Sequence, residues 1–162
     1  EIRRVRDVYC ECLATEIHRP VEHFCGVLPG VGPLLDALDA RTDVAVGLLT
    51  GNFERGAAIK LGHFDLARRF AFGAFGDEHV DRRDLVPVAL ARAGAHRGGG
   101  AVAPTRVVVI GDTPLDVDCA KAHGALAVGV ATGPFDTATL AAAGADLVLD
   151  TLDDRERFLA WL

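Results

Sequence analysis

Methionine is absent from the 162 residues, and tryptophan and tyrosine occur once each. Ordinary chains carry methionine at about 2% of positions; its absence, with glutamate at position 1, reads as an incomplete copy of a longer chain. No apolar run approaches the roughly 18 residues that cross a bilayer. The opening EIRRVRDVYCE is a charged amphipathic stretch and not a secretory leader, which places the expected location in the cytoplasm. Basic excess is missing too: 17 Lys+Arg stand against 23 Asp+Glu, for a net charge of -6. That balance argues against nucleic acid or a membrane surface as partner, though a local donor cluster can still hold a small anion. Cys10, Cys12, Cys25 and Cys119 lack CxxC spacing and nearby histidines, so reduced and mostly buried thiols are expected, with no zinc site. GVLPGVG follows no strand and lacks the full GxGxxG spacing, which excludes a dinucleotide loop. The six histidines include no HExxH pair; only His79 falls in a loop that can face a ligand.

What is present fits one soluble domain, half apolar and one quarter charged (50% and 25%). Ile2, Val5, Val8, Tyr9, Cys12, Leu13 and Ile17 recur at three/four spacing and predict an amphipathic helix over 2–18 without a visible partner. Proline and glycine then break the period through 18–30, where a domain boundary falls. From Val31 helices and apolar strands alternate. Helix 31–41 precedes strand 44–49, and a helix follows TGN. FAFGAF comes next, then the polar loop GDEHVDRRD and helix 84–93; RVVVIGD, ALAVGVATG and ADLVLD are the later strands. Near-continuous Val/Leu/Ile runs separated by helices are what a parallel sheet covered on both faces requires. The expected fold is α/β, a doubly wound parallel sheet.

Ligands of such sheets sit beyond the carboxyl ends of the strands. Four loops lie there: TGN, FGDEHVDRRD, GDTPLD and VATGPFD. In GDTPLD, Asp112 and Asp116 flank a strand-to-helix turn, where two carboxylates repel unless a hard cation or a bonded hydroxyl intervenes. Helix capping is the plainer alternative. Thr50, Gly51 and Asn52 offer a hydroxyl, a small residue and free backbone N–H groups at a helix start, a cradle for phosphate; an ordinary turn with Asn52 as N-cap is the alternative. A phosphoryl group also calls for a cation. Lys60 is expected roughly 10 Å or more from the cradle, on a helix that rises about 1.5 Å per residue away from it. Arg82, or its neighbour Arg83, can approach directly and is preferred.

At VAVGLLTGN, the Asp-Arg pair of HVDRRD and VVVIGDTPLDV, the chain resembles the haloacid-dehalogenase-like hydrolases, in particular the phosphoglycolate-phosphatase-like branch. The resemblance spans about residues 20 to 152. It implies that Thr50 binds the transferring phosphoryl group, that Asp112 and Asp116 hold Mg²⁺ and orient water, and that Arg82, in place of the family's usual lysine, neutralises phosphate. It implies residues 1–25 as the end of a helical cap with its linker, and 26–162 as a Rossmann-like core missing its first strand. That strand carries the family's DxDxT nucleophile motif, which occurs nowhere here. The expected activity is Mg²⁺-dependent hydrolysis of a small phosphorylated metabolite, with phosphoglycolate as the branch's substrate, by a monomer or homodimer. The fragment alone is expected to be inactive. A non-catalytic binding or regulatory domain, or a related dehalogenase or phosphomutase, is the alternative.

Overall fold

The computed structural model describes residues 2–19 and 26–162. Helix α1 (Ile2–Glu16) and helix α2 (Val31–Asp39) lead to strand β1 (Gly47–Thr50). Helix α3 (Glu54–His63) connects it to β2 (Phe72–Phe75), and α4 (Leu85–His96) connects β2 to β3 (Val108–Gly111). Then α5 (Pro114–Lys121), β4 (Leu126–Val130), α6 (Thr137–Ala142), β5 (Leu147–Leu149) and α7 (Arg155–Trp161) complete the alternation. One of three 3₁₀ turns among the described residues, Arg82–Asp84, precedes α4. No helix among the described residues is long and apolar enough to cross a membrane.

Every strand pairing is parallel, as the alternation requires, but the pairings form two ladders. One is β1-β2, with Thr50 opposite Phe75; the other is β3-β4-β5, with Gly111 opposite Gly129. Among the described residues the sheet is divided into these two ladders, with β1 and β3 each paired on one side. Ile110, inside an apolar run expected to be covered on both faces, is 38% exposed for the same reason.

Double winding is plain in the larger ladder, where successive side chains of a strand point to opposite faces. Val128 and Val130 join Leu147, Leu149, Leu34 and Leu38 of α2, and Phe158 of α7, in one buried cluster. Ala125 and Ala127 join Val117 and Ala120 of α5 on the other face. The strand lead-in Val44 and Val46, expected within the first strand, packs against the first cluster before the β1 ladder begins.

Helix α1 has a partner after all. Tyr9 meets Phe53 edge-on with ring centroids 6.0 Å apart, and Arg6 reaches Asp77 across 3.3 Å. Its period was legible but its inward face was not: Cys10 is fully buried, whereas Val5 and Val8 are 65% and 51% exposed. One flanking helix covers a narrow stripe, so part of the apolar face remains open. Cys10 and Cys119 are buried free thiols and Cys12 is an exposed one, while Cys25 and the rest of 20–25, within the expected 18–30 boundary, lie outside the described residues.

Candidate functional site

Within each ladder the parallel register aligns the carboxyl ends of the strands: TGN and GDEHVDRRD leave from those of β1 and β2, GDTPLD from that of β3, and the Arg82–Asp116 pair ties the second loop to the third. At the end of β1 the Thr50 Oγ1 accepts from the Asn52 backbone N–H at 3.1 Å and from Asn52 Nδ2 at 2.8 Å. Asn52 is therefore not the helix cap. Phe53 occupies that position, and the N–H of Glu54 is satisfied by Asp77 Oδ1 at 3.1 Å. Lys60 Nζ donates to Asn52 Oδ1 at 2.8 Å. The expectation that helix rise removes Lys60 from the cradle is thus corrected: side chains on a helix lean toward its N-terminus, and the four-carbon stem covers the remaining distance.

At the end of β3, Gly111 precedes Asp112, and Thr113 caps α5 in a reciprocal box with Asp116. The Thr113 backbone N–H and hydroxyl donate to Asp116 Oδ2 at 3.1 and 2.8 Å. A Cβ on Gly111 would lie 2.2 Å from Asp116 Cγ, so only glycine lets this carboxylate fold back over the strand end. Asp116 is 5% exposed, and its Oδ1 meets Arg82 Nη2 at 2.5 Å. Capping and ion pairing thus coexist at one side chain, where the sequence left them as alternatives. An ionised carboxylate buried to this degree requires such a partner.

Of the two candidate arginines, only Arg82 joins this cluster. Arg83 turns to Asp81 at 2.8 Å and approaches Asp118 at 4.0 Å. Arg82 keeps 38% of its side chain exposed while its Nε is buried without a hydrogen-bond partner among the described residues. Two contacts missed from sequence fix the turn: the Cys119 thiol donates to the Arg82 carbonyl oxygen at 3.2 Å, and His123 Nε2 lies 2.8 Å from the Arg83 carbonyl oxygen. Burial pushes the Cys119 thiol up from its ordinary range. Such carbonyl contacts carry no periodic or motif signal. His79 lies 3.9 Å from Asp84 on the exposed loop.

Asp112 lines a cavity of about 250 Å³ with Ile110, Gly111, Val130, Thr132 and Leu28. A Cβ on Gly133 would come within 2.1 Å of Asp112 Oδ2, so the loop after β4 also needs glycine to admit this carboxylate. No cluster of three metal-ligating side chains occurs among the described residues. Mg²⁺ commonly takes one or two carboxylates and completes its octahedron with water and substrate phosphate. Asp112 and Asp116 fit that demand as a partial shell, Asp116 through the lone pairs left by Arg82 and Thr113.

A parallel α/β core with a threonine hydroxyl at one strand end and a carboxylate–guanidinium cluster at another belongs to the doubly wound class. A HAD-hydrolase-like family model matches residues 82–155. Over 128 residues the chain is 30% identical to phosphoglycolate phosphatase of Synechococcus elongatus, covering 79% of this chain and 57% of that protein. A hydrolase from Pseudomonas syringae superposes with TM-score 0.68 at 25% identity, over 85% of this chain and 63% of that one. A haloacid-dehalogenase-like family hydrolase from Streptococcus pneumoniae gives TM-score 0.70 at 18% identity, covering 83% and 60%. The chain is thus similar to haloacid-dehalogenase-like hydrolases, by family model over residues 82–155 and in fold over most of its length. It spans 57% of the length of the curated relative it matches.

Proposed function

We propose that the complete protein is a Mg²⁺-dependent phosphomonoester hydrolase acting on a small phosphorylated metabolite, with phosphoglycolate the first substrate to test. The supporting observation is the Arg82–Asp116 pair: a guanidinium anchored at 2.5 Å on a buried carboxylate, yet open on one side, in a loop that leaves the carboxyl end of β2, whose ladder partner β1 ends in Thr50. In this reading Arg82 and the Thr50 hydroxyl bind equatorial phosphoryl oxygens and stabilise the charge that redistributes as phosphorus is attacked. Asp116 keeps the guanidinium aimed. Asp112 and Asp116 would hold Mg²⁺, which when bound supplies Lewis-acid stabilisation of phosphate charge. The nucleophilic aspartate of a DxDxT motif, absent from these 162 residues, belongs to chain outside them. A strand carrying it between β1 and β3 would satisfy both open ladder edges. In the same reading α1 is the end of a helical cap.

The test is release of inorganic phosphate from phosphoglycolate and from p-nitrophenyl phosphate by the full-length protein, with and without chelator. Mg²⁺-dependent release with either substrate supports the proposal. Absence of release from both, in folded full-length protein supplied with Mg²⁺, favours the non-catalytic binding domain.

A further inference from the structure

Lys60 Nζ, Asn52 and the Thr50 hydroxyl form one directed chain of hydrogen bonds, 2.8 Å at each side-chain link. Its direction is dictated by Lys60. An ammonium group can only donate, so the Asn52 amide must present Oδ1 to it; the NH₂ end then faces Thr50. The Thr50 oxygen receives that N–H and the Asn52 backbone N–H as well, at 3.1 Å. A hydroxyl has two lone pairs and one proton. Both lone pairs are taken, and the proton is left to donate outward, toward the carboxyl-end edge that Thr50 closes.

We infer that Lys60 is a positioning residue: by locking the orientation of the Asn52 amide, it commits the Thr50 hydroxyl to donate to a phosphoryl oxygen. This rests on the phosphomonoester-hydrolase reading. Without Lys60 the Asn52 amide can turn over and present its oxygen to Thr50. The hydroxyl proton is then captured inside the loop, and the cradle offers the anion a lone pair in its place. Lys60 acts through Asn52 and not by touching phosphate, which is what separates it from Arg82.

The experiment measures the affinity of the full-length protein for inorganic phosphate, by calorimetry with Mg²⁺ present, for K60M, K60R, N52A, K60M/N52A and T50V. Circular dichroism confirms folding of each. The inference predicts that K60M weakens binding by about tenfold, the loss of one oriented hydrogen bond. K60R, also a pure donor, restores affinity to within about threefold. K60M/N52A is no weaker than the weaker single variant, because both act along one line. The Asn52 side-chain amide resonances shift in K60M and return in K60R. Additive losses in the double variant would mean that Lys60 contacts phosphate itself, overturning the inference. Undiminished binding by K60M while T50V loses affinity would also overturn it and leave the phosphate cradle standing. Undiminished binding by both K60M and T50V would remove the cradle reading as well.

Discussion

Asp112 stands apart from its partner Asp116 because it lines the cavity beyond β3, whereas Asp116 is 5% exposed and tied to Thr113 and Arg82. The two carboxylates should therefore fail differently. Asp112→Asn in the full-length protein is expected to abolish Mg²⁺-dependent turnover with little change in melting temperature; activity retained at saturating Mg²⁺ would refute the ligand role. Asp116→Ala leaves a buried guanidinium edge without its partner and removes one half of the capping box. Destabilisation of about 3 kcal/mol in urea unfolding is expected, the range seen when one member of a buried pair is deleted. Arg82→Ala should cost about a hundredfold in kcat/KM, comparable with losing one preorganised donor. Arg83→Ala, which lets go of exposed Asp81, should cost little. Equal losses would place both arginines in the scaffold.

The loop after β2 is organised as an element by Glu78. Its carboxylate accepts from the Phe75 backbone N–H at 2.8 Å and from both Nη groups of Arg92, and the Arg92 guanidinium holds it below the usual carboxylate range. Because the folded value is depressed, the contribution is fully present above the unfolded value of about 4.3 and is lost as pH falls through the folded value. Glu78→Gln should lower stability at neutral pH by about 1 kcal/mol, discounted for partial exposure. The gap to wild type should close in melts carried out progressively below pH 4; a constant gap down to pH 3 would deny the ion pair its part. Helix α7 is secured by Phe158, 2% exposed in the cluster with Leu34, Val128 and Leu149. Phe158→Ala should cost about 3–5 kcal/mol by the cavity it leaves, measured by denaturant midpoint.

At the scale of the whole molecule, the alternation of helix and strand was legible because each strand is a short apolar run stopped by a turn, and because Val128 and Val130 or Ala125 and Ala127 serve opposite faces. The places of Asp116 and Arg82 were legible from loop position alone. The reach of Lys60 back to Asn52 was not, since helix rise locates a Cα and not the tip of a long side chain. Periodicity alone did not carry the division into two ladders, because ladder order depends on partners far along the chain, and periodicity reports only local burial. The two ladders differ in core: β3-β4-β5 is flanked by both main clusters, whereas Ala74 is the buried apolar side chain of β1-β2. Amide exchange should therefore be slower for Val128 than for Leu48, reflecting a higher opening free energy.

The ladders are joined at their two ends by unlike materials. At the strand starts, Val44 and Val46 lie against the apolar cluster of the larger ladder. At the site end, helix α5 and the turn after it hold the turn before α4 through Arg82–Asp116, Cys119 to the Arg82 carbonyl, and His123 beside the Arg83 carbonyl. Apolar contacts are non-directional and tolerate sliding, while directional polar bonds have one good geometry. The two ladders can consequently adjust against each other at the strand starts without losing contact, whereas at the site end their placement is fixed by bonds that have one good geometry.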